Sequence, residues 1–172
     1  MNPPLDATYV TSLEEIFWAG ILMAITMTLH GVGMPLILQA NAVLKQRVER
    51  YPSFVAGMSV LVISSWMILV VHLLEVLCWA LFFYWTGALA LPNASASTCY
   101  YFALMDFTTV GSIYTLSLRW RLLEGMIAMV GLLTFAWSTG VLFALAQDFQ
   151  DQQLQLLKQR RDKRHPKAPP QN

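Results

Sequence analysis

Charged residues are scarce in this sequence. Only 12% of its 172 residues are charged, about half the fraction that is usual in a soluble domain. Glycine (9), proline (8) and cysteine (2) are also few, which excludes collagen-like, low-complexity and disulfide-stabilised chains. The net charge of +1 is too small for a general nucleic-acid binder. Walker loops, zinc-ligand spacings and nucleophile–base arrangements do not occur either, so the sequence does not predict an enzyme.

Apolar residues, by contrast, are abundant and occur in long runs. Hydrophobic residues make up 56% of the chain, and its mean hydropathy is +0.52. Three runs, 16–44, 54–87 and 119–147, are each long enough to cross about 30 Å of hydrocarbon as a helix. Pro35 predicts a kink near the end of the first run. We therefore expect an all-α integral membrane protein with three transmembrane helices.

The distribution of Lys and Arg predicts the orientation. Basic residues lie in the 45–53 loop and the 148–172 tail, whereas the charged residues of the 1–15 segment are all acidic. Because cytoplasmic loops are enriched in Lys and Arg, the N-terminus is expected outside and the C-terminus in the cytoplasm, in a plasma (inner) membrane. The stretch Lys158–Lys167 is expected either to bind anionic lipids or to be a solvated basic tail.

The segment between the second and third runs is too short to span a membrane. Residues 92–98 are small and polar and predict a loop, and the apolar helix predicted over 99–108 has only about ten residues. Such a half-helix, followed by a turn over 108–114, is typical of a re-entrant segment that enters and leaves the membrane on one side. Cys99 either packs there or pairs with Cys99 of the partner subunit.

A Thr-Thr-Val-Gly sequence (108–111) follows the half-helix. With its flanking runs, this stretch resembles the pore module of tetrameric potassium channels, which has an outer helix, a pore helix, a filter and an inner helix. The resemblance covers about residues 54–147. The segment 118–122 looks like the start of the family's inner helix, and Gly131 lies where the family often has a hinge glycine. The resemblance implies a homotetrameric cation channel in the lipid bilayer. The residues it implies for the ion pathway are Thr108, Thr109, Val110, Gly111 and Ser112.

The sequence departs from that family after Gly111. The family continues with an aromatic residue, a second glycine and usually an acidic residue, whereas this chain has Ser112, Ile113 and Tyr114. About two residues are missing, and the lost glycine is a residue that tolerates unusual dihedral angles. Because selectivity depends on the number and arrangement of coordinating carbonyls, we expect permeation by K⁺ or Na⁺ with weakened discrimination and no bound cofactor.

Several residues near this turn are expected to support it. A carboxylate at a helix C-terminus is unfavourable without a donor, so Asp106 is predicted to pair with Arg119, Trp120 or Tyr114. Arg121 and Glu124 share a helical face and are expected to pair, with Arg119 and Arg121 as headgroup anchors. Alternatively, the two arginines add positive potential at the outer mouth and disfavour cation entry. Thr134 and Ser138 are weaker candidates for the inner cavity. The expected supports are Asp106, Tyr114, Arg121 and Glu124, with Gly131 as a gating hinge.

Three ionisable residues interrupt the first two runs. His72 and Glu75 share a helical face, and His30 lies at a comparable depth in the first run. They are interpreted as an interhelical hydrogen bond, as a proton-sensing gate, since histidine titrates near neutral pH, or as a metal site, for which three ligands on two helices are weak evidence. A metal is not expected.

Two functions besides a channel remain open from the sequence. One is a non-conducting membrane scaffold or sensor built on a channel fold. The other is a proton or small-solute permease that uses His30, His72 and Glu75. A channel requires four-fold assembly around an open axis at Thr109, whereas a permease requires the charged cluster to lie on a solvent path.

Overall fold

The computed structural model describes residues 10–48 and 54–164. Its described residues form four α-helices and a short 3₁₀ turn, Leu118–Trp120. The α-helices are α1 (Leu13–Val48), α2 (Phe54–Thr86), α3 (Ala96–Phe107) and α4 (Leu122–Arg164). Three segments, Leu13–Gln46, Phe54–Thr86 and Leu118–Lys158, are long and apolar enough to cross a membrane. The structure confirms the prediction of a helical integral membrane protein with three spanning helices.

The spanning helices bury several polar side chains between them, beside an apolar core, and expose many apolar side chains on their outer faces. Leu69, Val70 and Leu73 of α2, for example, are exposed on the outer face. An unpartnered polar group in hydrocarbon costs several kcal/mol, so the inward residues need hydrogen-bond partners. The buried polar residues of these helices are Glu15, Thr26, His30, Ser64, His72, Glu75, Thr134 and Ser138.

Helix α1 lies antiparallel to α2 and is joined to it by buried hydrogen bonds. Trp79 Nε1 donates to the Thr26 hydroxyl over 2.9 Å. One turn further along α1, His30 Nδ1 lies 2.8 Å from Glu75 Oε1. A step of four residues toward the C-terminus of α1 therefore corresponds to a step of four residues toward the N-terminus of α2. Both contacts fit one antiparallel register of the two helices.

Helix α1 also runs parallel to α4 and contacts it at both ends. At one end, Glu15 Oε1 accepts a hydrogen bond from the amide of Leu122, the first residue of α4. At the other end, Lys45 Nζ pairs with Asp148 over 2.5 Å. Helix α1 therefore packs against both of the other long helices, α2 and α4.

Helix α3 lies between α2 and α4. The hydroxyl of Ser95 accepts the amide hydrogen of the third helical residue over 3.1 Å and caps the N-terminus. Phe102 is fully buried and meets the ring of Phe83 on α2 edge-on, with ring centroids 5.4 Å apart. At its other end, Phe107 packs against Gly131 of α4.

After α3 the chain returns to the end of α2. Leu89, which follows α2, forms an antiparallel bridge with Leu116, which precedes α4. Two backbone hydrogen bonds of 2.9 and 2.8 Å flank this bridge. Residues 89–116 therefore form a segment whose two ends are paired, and this segment consists of α3 and the loop that follows it, here called the return loop.

The helices differ in extent from the predicted segments. Helix α1 continues through Pro35 to Val48, α3 spans Ala96–Phe107 where 99–108 was predicted, and α4 continues to Arg164 where an end at 147 was predicted. The tail is rich in Gln, Leu, Lys and Arg, which are good helix formers, so the helix does not end with the apolar run. The predicted segments 1–15, 45–53 and 148–172, and the lipid-binding stretch Lys158–Lys167, lie partly outside the described residues.

Candidate functional site

A tight turn follows α3 at the residues predicted to line an ion pathway. The amides of residues 109–111 all donate back into the last turn of the helix, to the carbonyl oxygens of Met105 and Asp106, over 2.9–3.2 Å. The Thr108 hydroxyl also donates to a carbonyl of this turn, over 2.8 Å. The hydrogen-bond donors of the turn are therefore directed into the protein.

The backbone of this turn adopts left-handed dihedral angles at two positions. Thr109 has φ +61° and Gly111 has φ +82°. Glycine accepts such angles readily, but a β-branched residue does so rarely, at a cost of about 1–3 kcal/mol. Thr109 thus holds a strained conformation at the point where the chain reverses.

The turn presents carbonyl oxygens to its surroundings. Among the described residues, no backbone hydrogen bond is donated to the carbonyl oxygens of residues 108–111. Val110 is 69% exposed, and Thr109 and Gly111 are also exposed. The C-terminus of α3 adds the partial negative charge of the helix dipole. Carbonyl oxygens without a backbone donor, next to the negative end of a helix dipole, favour a cation over an anion.

The carboxylates of Asp106 and Glu124 bind the backbone of the return loop. Asp106 accepts a hydrogen bond from the amide of Ser112, and Glu124 Oε1 accepts one from the amide of Leu116 over 2.6 Å. The Tyr114 amide donates to the Ser112 hydroxyl over 3.0 Å. Burial, together with the charge of Glu124, raises the pKa of Asp106 to about 6, although the hydrogen bond from Ser112 opposes this shift. These carboxylates fix the loop through its backbone.

The arginines do not make the predicted contacts. Arg119 pairs with Glu14 of α1 over 2.6 and 2.8 Å, on the exposed surface, and not with Asp106. The ion pairs of the described residues also do not include Arg121 with Glu124. The predicted partners were wrong because backbone amides, which the sequence pattern does not reveal, satisfy both carboxylates.

Gly131 lies at a close approach between helices. A Cβ atom added there would overlap the carbonyl oxygen of Phe107 and lie 2.9 Å from its carbonyl carbon. Only a residue without a side chain lets the end of α3 approach α4 this closely. This contact gives Gly131 a packing role, whereas its role as a gating hinge stays a prediction.

Four side chains in the interior of the helices form a closed hydrogen-bonded ring, here called the polar ring. Glu75 Oε1 lies 2.8 Å from His30 Nδ1, and Glu75 Oε2 lies 3.0 Å from His72 Nδ1. The hydroxyl oxygen of Ser138 lies 2.9 Å from His72 Nε2 and 3.4 Å from His30 Nε2. All four residues are buried, His30 and Glu75 completely. The ring joins α1, α2 and α4 at one point.

The polar ring also contains donor atoms that a transition metal accepts. One donor atom from each of His30, His72 and Glu75 lies within 4.8 Å of the other two. Each imidazole Nδ1, however, is paired with its own carboxylate oxygen, and every buried polar side-chain atom of the described residues has a hydrogen-bond partner. The arrangement therefore satisfies these atoms without an ion.

Three further predicted residues are buried within the single chain. Thr134 is completely buried and donates to the Gly131 carbonyl oxygen over 3.0 Å, and Ser138 belongs to the polar ring. Both side chains are buried inside the single chain, and their place on an inner cavity of an assembly stays a prediction. Cys99 is also buried, which raises the pKa of its thiol and disfavours a disulfide with Cys99 of the partner subunit.

The comparisons with known proteins give no relative. No protein-family model, curated protein or solved structure matches the chain. The resemblance to potassium channels stays a prediction from the sequence.

The sequence contained a signal for the place of Ser138 that the prediction did not use. Ile127, Gly131, Thr134 and Ser138 recur every three or four residues, so they share one face of α4. Two hydroxyls on the face that also carries the glycine indicate a buried polar contact. No comparable sequence pattern predicts the contact between Phe107 and Gly131, because the two residues lie on different helices.

Proposed function

We propose that the protein is a cation channel in which four copies of the chain surround an ion pathway at residues 108–112. In this proposal α3 is a re-entrant pore helix, α2 the outer helix and α4 the inner helix. The observation that carries the proposal is that the carbonyl oxygens of residues 108–111 accept no backbone hydrogen bond from the described residues, in a turn whose last three residues are exposed and which follows a half-length helix.

The depth of α3 supports its assignment as a re-entrant helix. The Phe107 ring lies 6.2 Å from the His72 ring, centroid to centroid. His72 precedes the end of α2 at Thr86 by fourteen residues, or about 21 Å at about 1.5 Å per residue. The chain thus reaches the middle of the spanning helices at Phe107, and it returns to the end of α2 where Leu116 pairs with Leu89.

The chemistry of the turn supports a cation as the permeant species. Carbonyl oxygens replace the hydration shell of an alkali cation when several of them surround it. One chain supplies a single row of such oxygens, so a complete coordination shell requires copies arranged around an axis. The strained backbone at Thr109 and the carboxylates behind the loop hold that row in place.

The shortened turn supports K⁺ or weakly selective monovalent permeation. After Gly111 the chain turns back at once through Ser112, whose amide is bound by Asp106. Fewer consecutive carbonyls then face the axis than in the channels that the sequence resembles, and discrimination between K⁺ and Na⁺ falls with the number of coordinating oxygens.

The test is ion flux through the purified protein in liposomes, alongside the mass of the assembly. We expect passive K⁺ and Na⁺ flux and a mass of four chains. Thr109→Ala, which removes a hydroxyl at the turn, should change the ratio of K⁺ to Na⁺ flux. Thr139→Ala is the matched control, because that hydroxyl is exposed on α4 and bonds its own helix over 2.8 Å.

Other outcomes would refute the channel proposal. Absence of cation flux at every voltage and pH, from a well-folded assembly, would leave a non-conducting scaffold. Proton flux without K⁺ or Na⁺ flux would favour a permease. The complete burial of His30 and Glu75 gives the permease no solvent path in the described structure.

A further inference from the structure

We propose that the polar ring is a proton-binding site whose occupancy regulates the end of α3, so that uptake of one proton closes the pathway. This inference rests on the proposed channel function for its consequence, but not for the proton binding itself. The hydrogen bonds of the ring and the aromatic side chains that contact it carry the inference.

The ring holds one hydrogen for each contact when its net charge is zero. It has four contacts, which join Glu75, His30, Ser138 and His72 in a circle. A neutral imidazole supplies one hydrogen, the hydroxyl supplies one, and a protonated carboxyl supplies one. Neutral groups therefore fill every contact, and moving one proton from the carboxyl to an imidazole fills the same contacts with an ion pair.

An additional proton disrupts this balance. Both imidazoles are then cationic and donate through both nitrogens, and the carboxylate accepts two of these hydrogens. The remaining two point at the Ser138 oxygen, whose own hydrogen must leave the ring to find another acceptor. The ring now carries a net positive charge in the middle of the membrane, with two cations whose ring centroids lie 5.4 Å apart. Such a charge is costly there, and the helices relieve it by moving apart or by admitting water.

The ring is in contact with the end of α3. The His72 ring lies 4.5 Å from the Phe135 ring and 6.2 Å from the Phe107 ring, and the two phenylalanine rings lie 5.7 Å apart. Phe107 is the last residue of α3 and directly precedes the turn. Displacement of His72 therefore loosens the support of the turn, and we expect cation flux to fall on acidification.

The titratable groups around the ring are few. Helix α1 contributes His30, and α2 contributes His72 and Glu75. The Cys78 thiol of α2 also lies within range of the charge of Glu75. Helix α4 adds the Ser138 hydroxyl and the aromatic rings of Phe135 and Trp137, and α3 adds the aromatic ring of Phe107. The carboxyl with a pKa of about 6, Asp106, interacts with Glu124 and Ser112 instead. The experiment must therefore distinguish protonation of Asp106 from protonation of the polar ring.

The first experiment detects the proton without relying on flux. Histidine nitrogen NMR is recorded against pH on the detergent-solubilised protein carrying His165→Ala, so that only His30 and His72 contribute. Glu75→Gln is the key variant, because an amide donates one hydrogen and accepts another, and so preserves all four contacts without a charge. We expect the imidazole nitrogen signals to change with pH in the parent chain, and this change to be displaced or lost in the variant, which has no carboxylate to pair with a second imidazolium.

Two results would overturn the proton site. One is a titration that is the same in the parent chain and in the Glu75→Gln variant, or no titration at all. The other is a transition metal retained at one per chain after purification and removed by a chelator, which would make the cluster a metal site. If Glu75→Gln does not fold, Ser138→Ala replaces it, and loss of the shared oxygen should also displace the titration.

The second experiment links the ring to conduction. The pH at which cation flux is half-inhibited is measured for the parent chain, Glu75→Gln and Asp106→Asn, each normalised to its own maximum. We expect Glu75→Gln to move this pH downward and Asp106→Asn to leave it in place. The reverse pattern would assign the pH dependence to Asp106. Absence of flux from all three chains would refute the channel, while the NMR titration would still decide the proton site.

Discussion

Replacement of Gly131 by alanine tests the contact that positions α3 most directly. The added methyl group would overlap the Phe107 carbonyl oxygen and lie 2.9 Å from the carbonyl carbon, whereas carbon atoms in contact are normally about 3.5–4.0 Å apart. Both clashing atoms belong to the backbone, so the end of α3 must retreat by at least about 0.6–1 Å to clear the carbonyl carbon, and further to clear the carbonyl oxygen. Overpacking of this kind costs about 1–3 kcal/mol. We expect a melting temperature lower by about 2–4 °C per kcal/mol, measured by circular dichroism in detergent.

Gly140→Ala is the matched control for this substitution. Gly140 lies on the same helix, and a Cβ atom there meets nothing within 4 Å. Replacing an unobstructed helical glycine by alanine is stabilising by about 0.5–1 kcal/mol. If Gly131→Ala melts together with Gly140→Ala, the close approach of Phe107 is refuted. A glycine needed only as a hinge would change flux in Gly131→Ala without lowering the melting temperature.

Three further substitutions have defined outcomes. Thr109→Gly should raise the melting temperature, because it removes a left-handed β-branched residue that costs about 1–2 kcal/mol, while it alters cation flux by loosening the turn. Asp106 binds its proton more tightly in the folded chain than its ordinary pKa of 3.8 implies, so stability should fall as pH rises from about 4 through about 6; Asp106→Asn should abolish this slope in melting temperatures recorded against pH. Glu15→Ala removes the acceptor for the first amide of α4 and should cost about 1 kcal/mol, with faster hydrogen exchange at Leu122 as the specific sign.

The architecture was largely accessible from the sequence. Charges separate the apolar runs near residues 45–53 and after 147, and apolar runs of this length have one physical reading, which is contact with lipid. The helix ends were less accessible, because the tail beyond Gln147 is both polar and strongly helix-forming. Whether the chain forms a tetramer or conducts ions stays a prediction.

The interactions within the site were only partly accessible. The spacing of His72 and Glu75 placed them on one face, and the depth of His30 suggested a partner, so three members of the polar ring were found together. Ser138 was assigned to a cavity, because a hydroxyl on an apolar helix fits a water-lined surface and a buried ring equally well. The partners of Asp106 and Glu124 were missed because they are backbone amides, which every residue except proline carries.

The antiparallel register of α1 and α2 has a consequence for how the chain is made. Because α1 is synthesised before α2, the His30 side chain has no Glu75 to bind until α2 follows. Glu75 lies near the middle of α2, and inserting such a carboxyl group alone at the centre of a helix costs about 2.5–3.5 kcal/mol. Insertion of the two helices together as a hairpin therefore costs less than insertion one at a time, because each helix covers polar side chains of the other.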